Sequence, residues 1–419
     1  MSIQVYINKE IFDKWKGITI NKGLDSISGS FSMTAEYNYS DEKSPFTLSG
    51  RIEIFHKDRE EDLPKKVMTG YIDRVNTSIS GGGLMVEISG RDITGDVIDC
   101  TIEHGSKEWS AKAVDIIEEI IKDFNINAIS KTEKANSIVS QNAKPDSKAS
   151  EVLSSIAKKG GFIMITDENG DLNLVSKADG TLSGSLSVGS NGNVLSASHA
   201  SDYTKRYSKI TVLENADVNM NEIETSGGSE PKSYTATDPT MEEENEDQKS
   251  KDTAEFFEWV GSGQSDNLFK MNQVFAEIRQ EELGITLKKD KIGRYRPLTI
   301  ISKNNRKNDE GNLKKEANWR MALSRSSVTT MKVKVQGWQN DKDELWRINN
   351  LVTCDLSKIN INTTTMLIKG ISFEVGGDGS YTNIELVHED AYDDTDFNLS
   401  DNDKENGDNA DLKARLSQL

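Results

Sequence analysis

The chain has 419 residues, 35% of them hydrophobic and 29% charged, with 69 acidic against 51 basic side chains and a net charge of −18. That length suits roughly three domains, and no stretch approaches the ~20 consecutive apolar residues needed to cross a bilayer as a helix. The acidity is local: residues 222–258 hold 12 acids and three bases, residues 389–419 hold ten and three, and the remainder is nearly balanced at 47 and 45. Nucleic-acid affinity comes mainly from counterion release by clustered Lys and Arg, so the lack of a basic patch argues against sequence-specific DNA binding. An anionic membrane surface is disfavoured on the same ground. The opening Met1-Ser2-Ile3-Gln4-Val5-Tyr6 lacks the basic-then-apolar profile of a secretory signal, and a soluble protein made in the cytoplasm is expected. Cys100 and Cys354 are too few for a disulfide framework or a four-ligand zinc site and read as small buried hydrophobes.

The first hundred residues read as β-structure. Ile3, Val5 and Ile7 alternate with polar residues, as do Phe31 and Met33, then Ile52 and Ile54, followed by runs at 67–75 and 85–88. Each run is short, has a period near two and ends at Gly, Asp or Ser. Gly81-Gly82-Gly83 reads as a turn between two of them. Such a meander must close or pair its edges, which predicts a small barrel or sandwich.

After Cys100 the period changes. Val114, Ile117, Ile121 and Phe124 share one face of a predicted helix, with Ser110 as its expected N-cap. A second helix carries Val152, Leu153, Ile156 and Ala157, opened by Asp146 or Ser147 and stopped at Gly160-Gly161. Runs at 162–165 and 172–175 flank Asp167-Glu168-Asn169-Gly170, a hairpin turn. Residues 180–200, rich in Gly and Ser, read as a surface connection, and strands resume at 207–212. The acidic segment 222–258 contains Pro231 and Pro239 and few apolar residues; it reads as a mobile insertion, because it has little to bury against its ordering entropy. A strand at 297–301, a short helix with Leu313, Ala317 and Met321 in step, and strands near 331–335, 348–352, 365–375 and 381–387 follow. The final thirty residues read as a disordered acidic tail.

Catalytic constellations are missing from this pattern. His56, His104, His199 and His388 stand far apart, and Cys100 with His104 supplies only two ligands. Neither a nucleophile elbow nor a phosphate-cradling loop is present. A glycosidase needs one carboxyl in an apolar pocket and a second some 5–10 Å away. The densest acids, Glu242-Glu243-Glu244 and Asp393-Asp394, lie in stretches too polar to build one. Asp167 to Asp171 lacks the distal Glu and flanking helices of a calcium loop. Trp338 and Trp346 bracket a polar turn and read as core residues. No catalytic, cofactor-binding or metal-binding residue is therefore expected, and no cofactor.

Two stretches together resemble the baseplate hub proteins of Mu-like contractile-tailed phages, the phage tail P-type or late-control family. The first runs Met68-Thr69-Gly70-Tyr71-Ile72-Asp73-Arg74-Val75, then Glu87-Ile88-Ser89-Gly90-Arg91-Asp92 and Gly95-Asp96-Val97-Ile98-Asp99-Cys100. The second runs Arg296-Pro297, Ala317-Asn318-Trp319, Val333-Lys334-Val335-Gln336-Gly337-Trp338 and Leu345-Trp346-Arg347-Ile348-Asn349. The resemblance extends to about residue 392. Ile348 departs from the proline that many relatives carry before the asparagine, and the insertion at 222–258 is long.

The resemblance implies an α+β, mainly β protein. Its expected parts are a tube-like β-barrel at 1–100, a helix-helix-hairpin α/β domain at 101–180 and a β-rich domain at 181–324 holding the insertion. A second, related barrel is expected at 325–392, before a tail at 393–419. It further implies a homotrimer whose six barrels form a ring, a structural and non-enzymatic adaptor between a six-fold tail tube and a three-fold central spike in a contractile phage tail or a phage-derived injection machine. The expected partners are the spike, the tube or tube-initiator protein and baseplate wedge proteins. Genome DNA would pass without specific binding, no membrane would be touched, and the protein would sit in the virion baseplate after assembly in the host cytoplasm. The competing class is a tail-associated lysozyme or peptidase, and a third is a carbohydrate-binding receptor protein.

Overall fold

The computed structural model describes residues 2–37, 46, 48–57, 59, 63–80, 83–102, 106–178, 182–189, 192–213, 233–238, 294–302, 310–326, 328–356, 361–389 and 391–392. Strands dominate. The first module contains β1 (Ser2–Ile7), β2 (Glu10–Phe12), β3 (Trp15–Gly23), β4 (Ser30–Tyr37), β5 (Arg51–Lys57), β6 (Lys65–Ser80) and β7 (Gly83–Asp92). The short α1 (Gly95–Asp99) leads into β8 (Lys107–Lys112), α2 (Ala113–Ile121), β9 (Ala128–Ser130), β10 (Ile138–Ala143), α3 (Ala149–Gly160), β11 (Ile163–Thr166) and β12 (Leu172–Val175). Next come β13 (Leu182–Ser187), β14 (Val194–Ser201), β15 (Lys209–Leu213), β16 (Ser233–Thr237), β17 (Pro297–Ile301) and a 17-residue helix, α4 (Glu310–Ser326). The last four strands are β18 (Thr329–Gln336), β19 (Leu351–Leu356), β20 (Ile361–Gly376) and β21 (Gly379–His388).

Thirteen strands form one sheet in the order β14-β18-β21-β20-β3-β4-β7-β6-β5-β1-β2, with β13 and β19 branching from β20. The joint between its two ends is the antiparallel pair β20–β3, from Gly370 opposite Gly23 to Val375 opposite Ile18. Period-two alternation sends Ile18, Ile20, Phe31, Met33 and Ile88 from one end, and Met331, Val333, Phe373 and Ile384 from the other, into a single apolar cluster. Trp338 and Trp346 are both buried in it, as their position at strand ends suggested.

The two ends are copies of one another in register. In the β6–β7 hairpin, Gly70 faces Asp92, Ile72 faces Gly90, a bulge follows, and Arg74 faces Ser89. In β20–β21, Met366 faces His388, Ile368 faces Leu386, a bulge follows, and Gly370 faces Glu385. Adding 296 to each number of the first hairpin reproduces the second, pair by pair, down to Ser80–Gly83 and Gly376–Gly379. The agreement continues outward. Phe31 faces Gly90 as Met331 faces Leu386, and Arg51 faces Tyr71 as Leu351 faces Leu367. Trp15, bulge, Gly17 on β4 matches Val194, bulge, Ser196 on β18.

The structure departs from the sequence expectations at four places, one of them Cys100, expected to be buried and found exposed. Residues 182–201 belong neither to a surface connection nor to the third β-rich segment, because β13 pairs β19 and β14 pairs β18 in the main sheet. Ser110 lies within β8 opposite Ser140, and Lys112 occupies the N-cap of α2; Lys148, not Asp146 or Ser147, occupies that of α3. Neither cap residue makes a side-chain hydrogen bond there, so apolar packing of Ile116, Ile117, Val152 and Ile156 sets these helix starts. Within the acidic segment, residues 233–238 are ordered: β16 pairs β15, Ala236 is buried, and Asp238 forms a buried ion pair with Arg206 at 3.1 Å. The rest of 222–258, the Gly81-Gly82 part of the turn, and the tail at 393–419 lie outside the described residues.

The remaining elements make two smaller units. Residues 95–175 pack α2 and α3 against the β8–β10 pair and the β9–β12–β11 sheet. Gly161, with φ 72°, ends α3 in the left-handed conformation open to glycine. β15, β16 and β17 form a separate sheet, covered by Leu313, Ala317 and Met321 of α4.

Candidate assembly surface

Because strands alternate their side chains, the face opposite the apolar cluster is set by the same residues that build the core. From β18 to β6 it presents Lys332 and Lys334, Asn383 and Glu385, Ser372 and Glu374, Thr19 and Asn21, Ser32 and Thr34, Glu87 and Ser89, and Arg74 and Asn76. Three shallow grooves of about 700, 460 and 440 Å³ run across it. Among those positions, the three cations Lys332, Lys334 and Arg74 equal the three anions Glu385, Glu374 and Glu87. The face is hydrophilic and close to neutral.

Several charges on and beside it have defined partners. Lys369 contacts Asp25 at 2.9 Å and Glu385 at 3.5 Å. Burial works against the Lys369 charge, but the two carboxylates outweigh it and raise its pKa. Asn383 donates to Glu374 Oε1 at 2.8 Å, and the Lys334 ammonium stands 4.1 Å from the centroid of the Tyr381 ring. At the rim, Arg91 donates to Asp99 at 2.6 Å and to Asp73 at 2.8 Å, which hold its guanidinium above its usual range and depress the Asp99 carboxyl.

The motif residues that carry the resemblance have structural jobs. A Cβ at Gly70 would sit 2.0 Å from the Arg91 carbonyl oxygen, and one at Gly90 would sit 1.9 Å from that of Tyr71. These glycines let β6 and β7 cross at the bulge. Asp92 accepts from Ser28 Oγ and the Gly29 amide, both at 2.7 Å, and from Thr94 Oγ1 at 2.5 Å, pinning the β3–β4 loop to the start of the helical unit. Asn349, at φ 66°, accepts from the Ala178 amide and donates to the Ser176 carbonyl, both at 2.9 Å. It ties the last module to the chain beyond β12.

Among the described residues, the two edges of the polar face have no further strand beside them. β14 pairs only β18 among the described residues. β6 pairs β5 up to Tyr71, and beyond its bulge residues 74–80 pair only β7 among the described residues. β14, Val194–Ser201, contains no Pro and no Asp, Glu, Lys or Arg, so it lacks the devices that protect a free edge from pairing.

The chemistry-bearing residues are dispersed. His56 is buried against Trp338, His199 lies on β14 and His388 ends β21; His104, Glu242 to Glu244, Asp393 and Asp394 lie outside the described residues. No group of three or more His, Cys, Asp or Glu able to hold a metal occurs among the described residues. Asp167 accepts from the amides of Asn169 and Asp171 at 2.8 and 3.0 Å, the bonding of a turn. Cys354 is buried, and burial pushes its thiol up to about 12. The open edges and the register repeat were invisible in the sequence, because both depend on which strands pair.

Three sequence profiles match the chain, the first two adjacent and the third beyond residue 290. The N-terminal domain of the Mu phage baseplate assembly protein GpP-like group matches residues 2–92. The second domain of baseplate hub protein gp44-like proteins matches 94–176, and the fourth domain of Mu phage baseplate assembly protein GpP matches 291–395. The baseplate hub protein gp44 of Escherichia phage Mu is 21% identical over 384 residues, covering 90% of this chain and 85% of that one. Among solved structures, the 43 kDa tail protein of prophage MuSo2 from Shewanella oneidensis aligns with a TM-score of 0.66 and 23% identity, covering 93% of this chain and 98% of that one. A tail protein from Neisseria meningitidis MC58 aligns with the same TM-score at 17% identity, covering 93% and 97%. With three domains matched in order along one continuous architecture, the chain belongs to the Mu-like baseplate hub family of phage tails, as a structural component and not an enzyme.

Proposed function

We propose that the protein is the trimeric central hub of a contractile-tail baseplate, joining a six-fold tail tube to a three-fold central spike and leaving a channel for the genome. The observation that carries this reading is the pair-by-pair register repeat between the first and last β-modules. A three-fold assembly of a chain with two equivalent modules offers six similar units on one side and three complete chains on the other. A closed ring needs heterologous contacts between unlike surfaces, and the two open edges supply them. The neutral polar face suits a conduit wall, since a run of unpaired cations would retain DNA. The partners on this reading are the spike, the tube or its initiator and the surrounding wedge proteins, met during assembly in the host cytoplasm.

Electron microscopy of the purified protein tests it. The expected class averages are annuli with six lobes of similar size around a central opening. Filled particles, or particles with three lobes only, would overturn the reading.

A further inference from the structure

We propose that a cleft between the two β-modules and the helical unit is a docking site for an acidic peptide with apolar anchors, and that residues 393–403 of the same chain are its occupant. This goes beyond the trimeric reading above and does not depend on it. The cleft, of about 680 Å³, lies where the start of β6, the β11–β12 hairpin and the segment 344–350 ahead of β19 converge. Its floor is apolar: Val67, Val175, Trp346 and Phe373 line it and are buried.

The rim is basic. Five cations, Lys22, Lys65, Lys66, Lys131 and Arg347, line the cleft against three anions, Asp167, Glu168 and Glu344. Lys66 is matched to Glu53 at 3.1 Å and Arg347 to Glu168 at 3.8 Å. Lys22, Lys65 and Lys131 form no ion pair among the described residues; Lys22 donates to the Val67 carbonyl at 2.9 Å and Lys65 to that of Asp343, both neutral acceptors. Three cations without an anion, beside an apolar floor, stand out in a chain of net charge −18. The wall adds unmet hydrogen bonds. Asn173 and Trp346 are each 2% exposed, and Asn173 Oδ1 and Trp346 Nε1 have no hydrogen-bond partner among the described residues. Such orphaned groups are costly, and a peptide backbone offers both the donor and the acceptor that they lack.

The occupant follows from charge, anchors and reach. Residues 393–403 hold five acids, Asp393, Asp394, Asp396, Asp401 and Asp403, with no base and two apolar side chains, Phe397 and Leu399. Side chains two positions apart share one side of an extended peptide, so both anchors can enter the floor while the acids meet the rim. The start of this stretch is fixed beside the cleft. Tyr392 is buried with Leu24, Ile163, Val175 and Leu367, and its hydroxyl donates to Asp25 at 2.5 Å. Val175 of that cluster also lines the cleft, as do Ile165 and Ile348 packed against it. At about 3.4 Å per extended residue, Phe397 can lie up to roughly 17 Å from Tyr392.

Carbodiimide cross-linking of the full chain, read by peptide mass spectrometry, tests the assignment, because it joins a lysine to a carboxylate only where the two meet. The expected amide links join Lys65 or Lys131 to Asp393, Asp394 or Asp396. Phe397→Ser/Leu399→Ser should reduce them several-fold and leave the internal Lys66–Glu53 link unchanged. A labelled free peptide of sequence 393–403 should bind that variant, whose cleft is vacated, and bind several-fold more weakly when Lys65→Glu/Lys131→Glu is added. No tail link at Lys65 or Lys131, or links there from Glu242, Glu243 or Glu244 instead, overturns the proposal. In a mixture of isotopically light and heavy chains, links found only between the two kinds assign the cleft to another copy's tail and overturn the same-chain reading. The number of chains in the particle decides none of these outcomes, so the trimeric reading stands or falls separately.

Discussion

The imidazole of His56 stacks on the indole of Trp338, with ring centroids 5.5 Å apart and planes 22° from parallel. His56 belongs to β5 of the first module, and Trp338 follows β18 of the second. The fully buried indole also packs on Phe373 at 5.0 Å and donates from Nε1 to the Glu374 carbonyl at 3.0 Å. One side chain thus joins both copies of the repeat beneath the β3–β20 joint. Trp338→Ala should cost about 3–5 kcal/mol, the range for deleting a large buried aromatic. Because the core is shared, calorimetry should show both β-modules losing stability in one transition. Two separate β transitions, with only one displaced, would mean that the modules fold independently.

The close strand crossing makes a second expectation. Gly70→Ala and Gly90→Ala should each destabilise by roughly 1–3 kcal/mol, since the added methyl overlaps a backbone carbonyl that can move only by parting β6 from β7. Gly377, with nothing within 4 Å of its would-be Cβ, is the control. Gly377→Ala should change stability by less than about 0.5 kcal/mol. Urea unfolding of the three variants checks the contrast, and equal effects at all three sites would refute it.

The two thiols should differ sharply. Cys100 is exposed, whereas Cys354 is buried and its thiol lies near 12, so almost none of it is thiolate at neutral pH. Titration with a thiol reagent at pH 7.5 should label one cysteine in the native protein and two after denaturation. Fast labelling of Cys354 in the native state would mean that the shared core opens readily.

Lys159 provides a test in pH. It is fully buried on α3, donating to the Ser140 carbonyl at 2.9 Å and to Gln141 Oε1 at 2.8 Å. Burial pushes its ammonium down to about 8 from 10.5, with Glu316 of α4 acting weakly in the other direction. Between those values the unfolded chain binds the proton and the folded chain does not, so this group's contribution to stability rises with pH across that window. Below it, the buried charge costs on the order of 3 kcal/mol. The parent protein should therefore gain stability relative to Lys159→Met as pH climbs from about 8 to 10. Melting curves at matched pH measure the gap, and a gap that stays constant with pH rules this account out.

Much of the architecture was legible before the structure, and the exceptions have physical causes. Strands with apolar alternation, such as those holding Phe31 and Met33 or Val333 and Val335, declared themselves, as did the helical stripe of Val152, Leu153 and Ile156. β13 and β14 did not: LSGSLS and VLSASHAS carry too little apolar alternation to signal strands and owe their structure to the neighbours they pair with. The resemblance implied a second, related barrel, but the register of the repeat was hidden because its core positions accept varied apolar or small residues. Ile54 corresponds to Cys354, Phe31 to Met331 and Gly90 to Leu386. Register survives where identity does not. The polar face and its open edges were beyond a linear reading, since a free edge is defined by the partner that a strand lacks.

Native mass measurement of the concentrated full chain bears most directly on the central claim. Three chains of 46.5 kDa each in one particle is the predicted result. A strictly monomeric hub in the assembled baseplate, or a particle whose chain number is not a multiple of three, would contradict it.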